Sequence, residues 1–229
     1  MPGAVLIDLF NTLIDDGGGA ARDAVTREMG TVLGVDPDAF VGLFHARWRA
    51  RLTGAYGPLD AMLRDWAREL GGSPDGAAVT EAVRLRVALT GRLLAGVRAG
   101  TLDALDSLRD KGFRLALVTN CTVETPLAWH AGPLAGRFDA TAFSCELRVG
   151  KPDPAIYEWA AGAVGVPPHE CVYLGDGADG ELAGAAALGM RAVRTTEYAD
   201  SDPAWTGPTI ATLAGLLDIL EPAGEPATP

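Results

Sequence analysis

From Thr101 onward, short apolar runs alternate with stretches of helical periodicity, and this alternation constrains the fold more than any other feature of the chain. "FRLALVTN" (113–120), "FDATAFS" (138–144), "CVYLGDG" (171–177) and "MRAVRTT" (190–196) read as strands. Between them, "LDALDSLRDKG", "DPAIYEWAAGAVG" and the small-residue run "GELAGAAALG" read as helices, and "TIATLAGLLDIL" (209–220) reads as a last one. Strands separated by helices of this length form βαβ units and a parallel sheet. "AVLIDLF" (4–10) is a further buried strand near the start. The expected fold class is therefore α/β, with a Rossmann-like parallel sheet at its core.

The segment at 16–96 breaks the pattern, since it has helical periodicity and no strand signal. Asp36-Pro37 is an N-cap followed by Pro at the first helical position. Phe40, Leu43, Phe44, Trp48 and Leu52 then recur at three- and four-residue spacing until "GAYGP" (54–58). A second helix carries Leu59, Met62, Leu63 and Trp66 as far as Gly71-Gly72, and another covers 76–95. Trp48 and Trp66 fit the apolar stripe and are expected in the core of this unit. The expected organisation is a core of 1–15 and 97–229 with a helical cap of 16–96 inserted after the first strand, and a Pro-rich tail at 221–229 expected to be disordered.

With 19 Lys and Arg against 30 Asp and Glu, the formal charge is −11. Such a surface repels phosphate backbones and anionic membranes, so neither nucleic acid nor a membrane is an expected partner. A small anionic substrate is compatible with it, because a local site can invert the field of the whole molecule. No apolar run approaches the roughly 20 residues of a membrane span. Met1-Pro2-Gly3 leads straight into a strand with no signal-peptide pattern. Three scattered cysteines, Cys121, Cys145 and Cys171, make neither a zinc pattern nor a disulfide framework. The expectation is a cytoplasmic protein, monomeric or homodimeric.

In an open parallel sheet, ligands bind beyond the carboxyl ends of the strands. Asp8, Thr119 and Asp176 each end a strand and would converge on one rim. Two carboxylates held together there repel unless a cation lies between them, and Mg2+ suits a site with few carboxylates and room for water. The backbone carbonyl of Phe10 would supply another oxygen. Thr119 and Asn120 offer a hydroxyl and an amide to an anion. Lys151 in "RVGKPDPAIY" stands at a stiff corner and can hold a phosphate as a point charge.

These four pieces, in this order, resemble the haloacid dehalogenase superfamily of hydrolases: "IDLFNTLID" its first motif, "LVTN" its second, Lys151 before "PDP" its third, and "YLGDGADGELAGAAALGM" its fourth. The resemblance implies Asp8 as the nucleophile that forms a covalent aspartyl intermediate. It implies Mg2+ held by Asp8, Asp176 and the Phe10 carbonyl. Thr119, Asn120 and Lys151 would bind the transferring group, with Thr119 and Lys151 catalytic. Asp179 and Glu181 are both candidates for a further acid, and aligning back from Gly189-Met190 favours Glu181.

Phosphatases of the superfamily usually carry a second aspartate two residues after the nucleophile, and here that position is Phe10. Three readings compete. The first is a Mg2+-dependent phosphatase of a small phosphorylated metabolite, with a good leaving group or a relocated acid such as Glu69, Glu81 or His45. The second is a metal-independent 2-haloacid dehalogenase, with Arg47, Arg49 or Arg51 holding carboxylate and halide. The third is a binding protein that has lost catalysis. Asp176 beside Asp8 requires a cation, which favours phosphatase over dehalogenase and dehalogenase over the inactive form.

Overall fold

A computed structural model describes residues 3–220; the expected disordered tail falls outside them. Six parallel strands form one sheet: β1 (Ala4–Ile7), β2 (Arg114–Thr119), β3 (Ala140–Phe143), β4 (Cys171–Gly175), β5 (Arg191–Thr195) and β6 (Thr209–Ile210). Their spatial order is β3-β2-β1-β4-β5-β6. The direction of winding reverses at β1, so the crevice at its carboxyl end is the expected ligand position.

Alternation along the strands divides two cores. Val5, Ile7, Leu115, Leu117, Val172 and Leu174 pack on one face of the sheet. Leu6, Ala116, Val118 and Tyr173 pack on the other. Because the side-chain period is two, the central strands β1, β2 and β4 are buried on both faces, which is why their runs are almost continuously apolar.

Five helices lie between β1 and the core helix α6 (Ala99–Asp110): α1 (Gly18–Val32), α2 (Pro37–Ala46), α3 (Trp48–Leu52), α4 (Leu59–Glu69) and α5 (Gly76–Ala95). Asp36 caps α2 by accepting from Ala39 N at 2.7 Å, and Asp75 caps α5 by accepting from Ala78 N at 2.8 Å. This insertion has its own core, in which the Phe44 and Trp66 rings meet edge to face at 5.3 Å. The single helix expected through 36–52 is two helices, since the chain leaves helical geometry at Arg47 (φ −104°, ψ 13°). The break lets Arg51 point inward from α3.

The remaining helices flank the sheet: α7 (Glu124–Trp129), α8 (Ser144–Leu147), α9 (Pro154–Ala163), α10 (Glu181–Ala187) and α11 (Gly215–Leu220). The helix expected over 209–220 starts only at Gly215. Thr209 and Ile210 instead pair with Arg194 and Thr195, because a β-branched pair just after Pro208 finds an open edge of the sheet.

Insertion and core are tied by a buried ion cluster. Glu124 on α7 accepts from Arg86 Nε at 2.6 Å and from Arg51 Nη2 at 3.1 Å. Burial would raise the Glu124 pKa, but Arg86 and Arg51 outweigh it and hold the carboxyl at about 2. Burial also brings Arg51 down to about 10, so Glu124 and Arg51 are both charged at neutral pH. Nearby, Ser144 Oγ donates to the carbonyl of Leu52 at 2.8 Å.

Glu124→Gln leaves two guanidinium groups facing no buried carboxylate and is expected to cost roughly 3–5 kcal/mol in urea denaturation at pH 7. The folded pKa of Glu124 lies below its ordinary value of 4.5. Its contribution is therefore complete above about pH 4.5 and fades as pH falls toward 2, and the gap between wild type and variant should close over that range.

Candidate active site

Asp8 directly follows β1, whose last residue, Ile7, lies opposite both Leu117 on β2 and Leu174 on β4. Thr119 ends β2 and Asp176 follows β4, so the three side chains come from adjacent strand ends. Asp8, Thr119, Lys151, Asp176 and Glu181 are all buried. Asp8 and Asp176 meet as expected and line one cleft with Lys151, in a poorly solvated setting where charges interact strongly, whereas Thr119 is fully buried and does not line that cleft.

Lys151 organises the charge. Its Nζ donates to Asp8 Oδ1, to Glu181 Oε2 at 2.5 Å and to the Tyr173 hydroxyl at 3.1 Å. Burial alone would lower the Lys151 pKa, but Asp8 and Glu181 reverse the effect and raise it, so the ammonium stays charged. Burial raises Asp8, against the pull of Lys151 and with the help of Asp176. Burial lifts Glu181 to about 7, with Lys151 pulling it back and Asp8 pushing it further up.

The corner holding Lys151 is braced by Asn120. The Lys151 N–H donates to Asn120 Oδ1 at 2.8 Å, and Asn120 Nδ2 donates to the Lys151 carbonyl at 3.1 Å. The same Nδ2 also reaches Asp179 Oδ2 at 3.1 Å. The Asn120 amide is thus taken up in fixing the lysine, although the residue also lines the cleft.

The choice between Asp179 and Glu181 resolves to two different roles. Asp179 is held in the left-handed region (φ 56°), exposed and turned to Asn120. Glu181 opens α10 and points inward, accepting from Lys151, from the Tyr173 hydroxyl at 2.7 Å and from Gly177 N at 3.0 Å. One oxygen each of Asp8, Asp176 and Glu181 lies within 4.8 Å of the others. Three carboxylates face a single ammonium, a buried donor set of hard oxygens with an excess of negative charge, which fits a divalent cation such as Mg2+. All three carboxylates are oriented by hydrogen bonds. Asp8 Oδ2 accepts from Thr12 at 3.0 Å, and Asp176 accepts from the Ser201 hydroxyl at 2.5 Å and from Ala178 N at 3.2 Å.

Two glycines make this packing possible. A Cβ on Gly175 would lie 2.0 Å from Glu181 Oε1, and one on Gly177, which has φ +99°, would lie 2.4 Å from Asp202 Cβ. Thr119 is fully buried, and its hydroxyl has no hydrogen-bond partner among the described residues. A buried orphan of this kind costs about 1–3 kcal/mol until a ligand or water satisfies it.

The cleft, of about 160 Å³, is lined by Asp8, Phe10, Lys151 and Asp176 from the core and by Arg22 and Trp48 from the insertion. Trp48 differs from expectation: Trp66 is core, but Trp48 is 37% exposed and faces the cleft, because the break at Arg47 turns it off the apolar stripe. Arg22 was not anticipated, since a polar residue early on a helix carries no sequence signal of its own. Its guanidinium lies 5.2 Å from the centre of the Phe10 ring.

The other expected acids lie elsewhere. Glu69 pairs with the half-buried Arg47 and Glu81 with the exposed Arg84. His45 pairs with Asp23 at 2.7 Å beside a neighbouring cavity. Of the three arginines considered for a halide and carboxylate, Arg47 is bound to Glu69 and Arg51 to Glu124.

The result is a parallel sheet with a strand-end aspartate, a lysine salt-bridged to it and a second acidic loop after the adjacent strand. The match to the family model of the haloacid dehalogenase-like hydrolases spans residues 2–189, and the chain belongs to that family. It is 32% identical over 135 residues to a phosphoserine phosphatase of Thermus thermophilus, covering 58% of this chain and 53% of that protein. It is 31% identical over 96 residues to the (S)-2-haloacid dehalogenase 4A of Burkholderia cepacia, covering 40% of each. The chain spans about half the length, or less, of these curated relatives. A HAD phosphatase from Thermococcus onnurineus superposes with a TM-score of 0.69 at 23% identity, covering 95% of this chain and 97% of that one. A 2-haloacid dehalogenase from Pseudomonas syringae superposes with a TM-score of 0.71 at 22% identity, covering 96% and 98%. Such likenesses establish the fold. Among the described residues, no helix is long and apolar enough to cross a membrane.

Gly175→Ala is expected to displace Glu181 and with it Lys151, lowering stability by about 1–3 kcal/mol through overpacking. Thermal unfolding measures the loss. Gly162→Ala, where an added Cβ meets nothing within 4 Å, provides the control.

Proposed function

We propose that the protein is a Mg2+-dependent phosphatase acting on a small phosphorylated metabolite through an aspartyl-phosphate at Asp8. The observation that carries this reading is the buried Asp8–Asp176 pair, with one ammonium offsetting three carboxylates. Asp8, Asp176 and the Phe10 carbonyl would hold the ion, which supplies charge neutralisation between the nucleophile and the phosphoryl oxygens.

Lys151 opposes the upward pull that burial exerts on the Asp8 pKa and keeps one of its oxygens fixed, and the hydrogen bond from Thr12 fixes the other. The Thr119 hydroxyl, unpartnered among the described residues, would donate to a phosphoryl oxygen. Asn120 contributes by keeping the lysine corner in place. Asp8 attacks phosphorus, the bond to the leaving oxygen breaks, and water later releases phosphate and regenerates the carboxylate. The cleft is small and partly closed by Trp48, which suits a metabolite better than a macromolecule.

A dehalogenase is the second reading, favoured by the aromatic side chain at Phe10 and by the haloacid dehalogenase among the curated relatives. Against it stand Asp176, whose charge has no use in a metal-free site, and Arg51, which Glu124 occupies.

Phosphate release that needs Mg2+, stops with EDTA and is abolished in Asp8→Asn supports the phosphatase. EDTA-insensitive chloride release from 2-chloropropionate overturns it in favour of the dehalogenase, and silence in both assays leaves a binding protein. Mg2+ should raise the melting temperature of the wild type and not of Asp176→Asn, because an ion that binds only the folded state stabilises it. Phe10→Asp should raise turnover of alkyl phosphates by on the order of 10²-fold, the usual contribution of a positioned acid–base.

A further inference from the structure

Phe10 leaves the leaving-group side of the cleft without its usual proton donor, but that side is not neutral. The Arg22 guanidinium is stacked over the Phe10 ring and lines both the catalytic cleft and an adjoining cavity of about 360 Å³. Arg51 and Arg86 line the same cavity. Within the fully buried part of this cluster, two guanidinium groups share one oxygen of a single carboxylate, Glu124. Arg22 itself is the accessible member. Its side chain is 26% exposed, and among the described residues its ion pair is with Asp16, whose carbonyl accepts from Nε at 2.8 Å and whose carboxylate lies 3.7 Å from Nη2. In a chain of net charge −11, the wall facing the leaving group is cationic.

We infer that the substrate is a phosphate anhydride, either an acyl phosphate or a phosphoanhydride, whose departing half leaves as an unprotonated anion received by Arg22. This rests on the phosphatase reading above and adds the substrate class to it. An alkoxide leaving group needs a proton in the transition state, and Phe10 has none to give. A carboxylate or phosphate leaves with the electron pair of the broken P–O bond and needs only a positive partner. Asp8 forms the new O–P bond as the old one breaks, and the anion moves toward the arginines. Water then attacks phosphorus, Asp8 leaves as a carboxylate, and the proton of the water ends on the released phosphate. No other co-reactant is required. Burial and the neighbouring Arg86 press the Arg22 pKa downward against the pull of Asp16, so an incoming anion relieves an unfavourable charge.

The test compares kcat/KM for acetyl phosphate, pyrophosphate and ethyl phosphate in the presence of Mg2+. The wild type should favour one or both anhydrides by on the order of 10²-fold or more, because the acid–base contribution missing for the alkyl ester is of that size. Acetyl phosphate and pyrophosphate separate a carboxylate from a phosphate leaving group. In Arg22→Met, turnover of the preferred anhydride should fall at least about tenfold, the usual worth of a charge-assisted hydrogen bond, with ethyl phosphate changed less than about twofold. Arg22→Lys should recover part of the loss, with circular dichroism confirming that both variants fold. Equal turnover of anhydride and alkyl ester by the wild type, or an equal loss on both in Arg22→Met, overturns the inference and leaves the phosphatase reading intact. Release of phosphate from none of the three overturns both.

Discussion

A single buried ammonium among three carboxylates governs how the active end of the sheet is built. Lys151 meets Asp8 and Glu181 directly, and Asp176 completes the acidic group. Each of these ions would be costly to bury alone, and removing one partner would strand another. The rest of the local structure serves this arrangement. Asn120 grips the backbone on both sides of the Lys151 carbonyl and amide, Tyr173 donates to Glu181, and Gly175 gives the glutamate the space that any Cβ would take. Burial lifts Glu181 to about 7 and raises Asp8, so the excess of negative charge in this group is sensitive to protonation and to any cation that enters it.

The framework of this site was legible before any coordinates because each element rests on local chemistry. Apolar runs of strand length, helices with Asp caps and Pro starts, and polar groups at strand ends are all short-range signals. What escaped depends on contacts far apart in the chain. Glu124 and Arg86 are separated by 38 positions, and Glu124 and Arg51 by 73. Nothing near Glu124 marks it as buried, and a lone arginine on a helix reads as surface. The roles of Asp179 and Glu181 turned on backbone conformation. Asp179 and Gly180 both have positive φ, so the chain kinks just before α10 and swings Glu181 inward. Trp48 failed for a related reason: its spacing matched the apolar stripe, but the stripe ends where the helix breaks at Arg47.

The buried arginine cluster also bears on the choice between halide and phosphate chemistry. An arginine that is to grip a small carboxylate substrate must have its donors free. Arg51 spends one on Glu124, lies 4.3 Å from the Phe44 ring and sits within the insertion–core contact. Its charge supports the wall of the cavity without reaching the cleft, whereas Arg22 reaches both.

Phe10 and Arg22 are best understood together. The Phe10 ring offers the Arg22 cation its negative face, an interaction of about 0.5–2 kcal/mol, and itself takes up none of the N–H donors. One face of the cleft is then acidic and the other basic, with a ring between them that cannot exchange protons. A reaction that moves negative charge from Asp8 across phosphorus to a departing anion runs down that field, whereas one that needs a proton delivered to the leaving oxygen finds no donor at position 10.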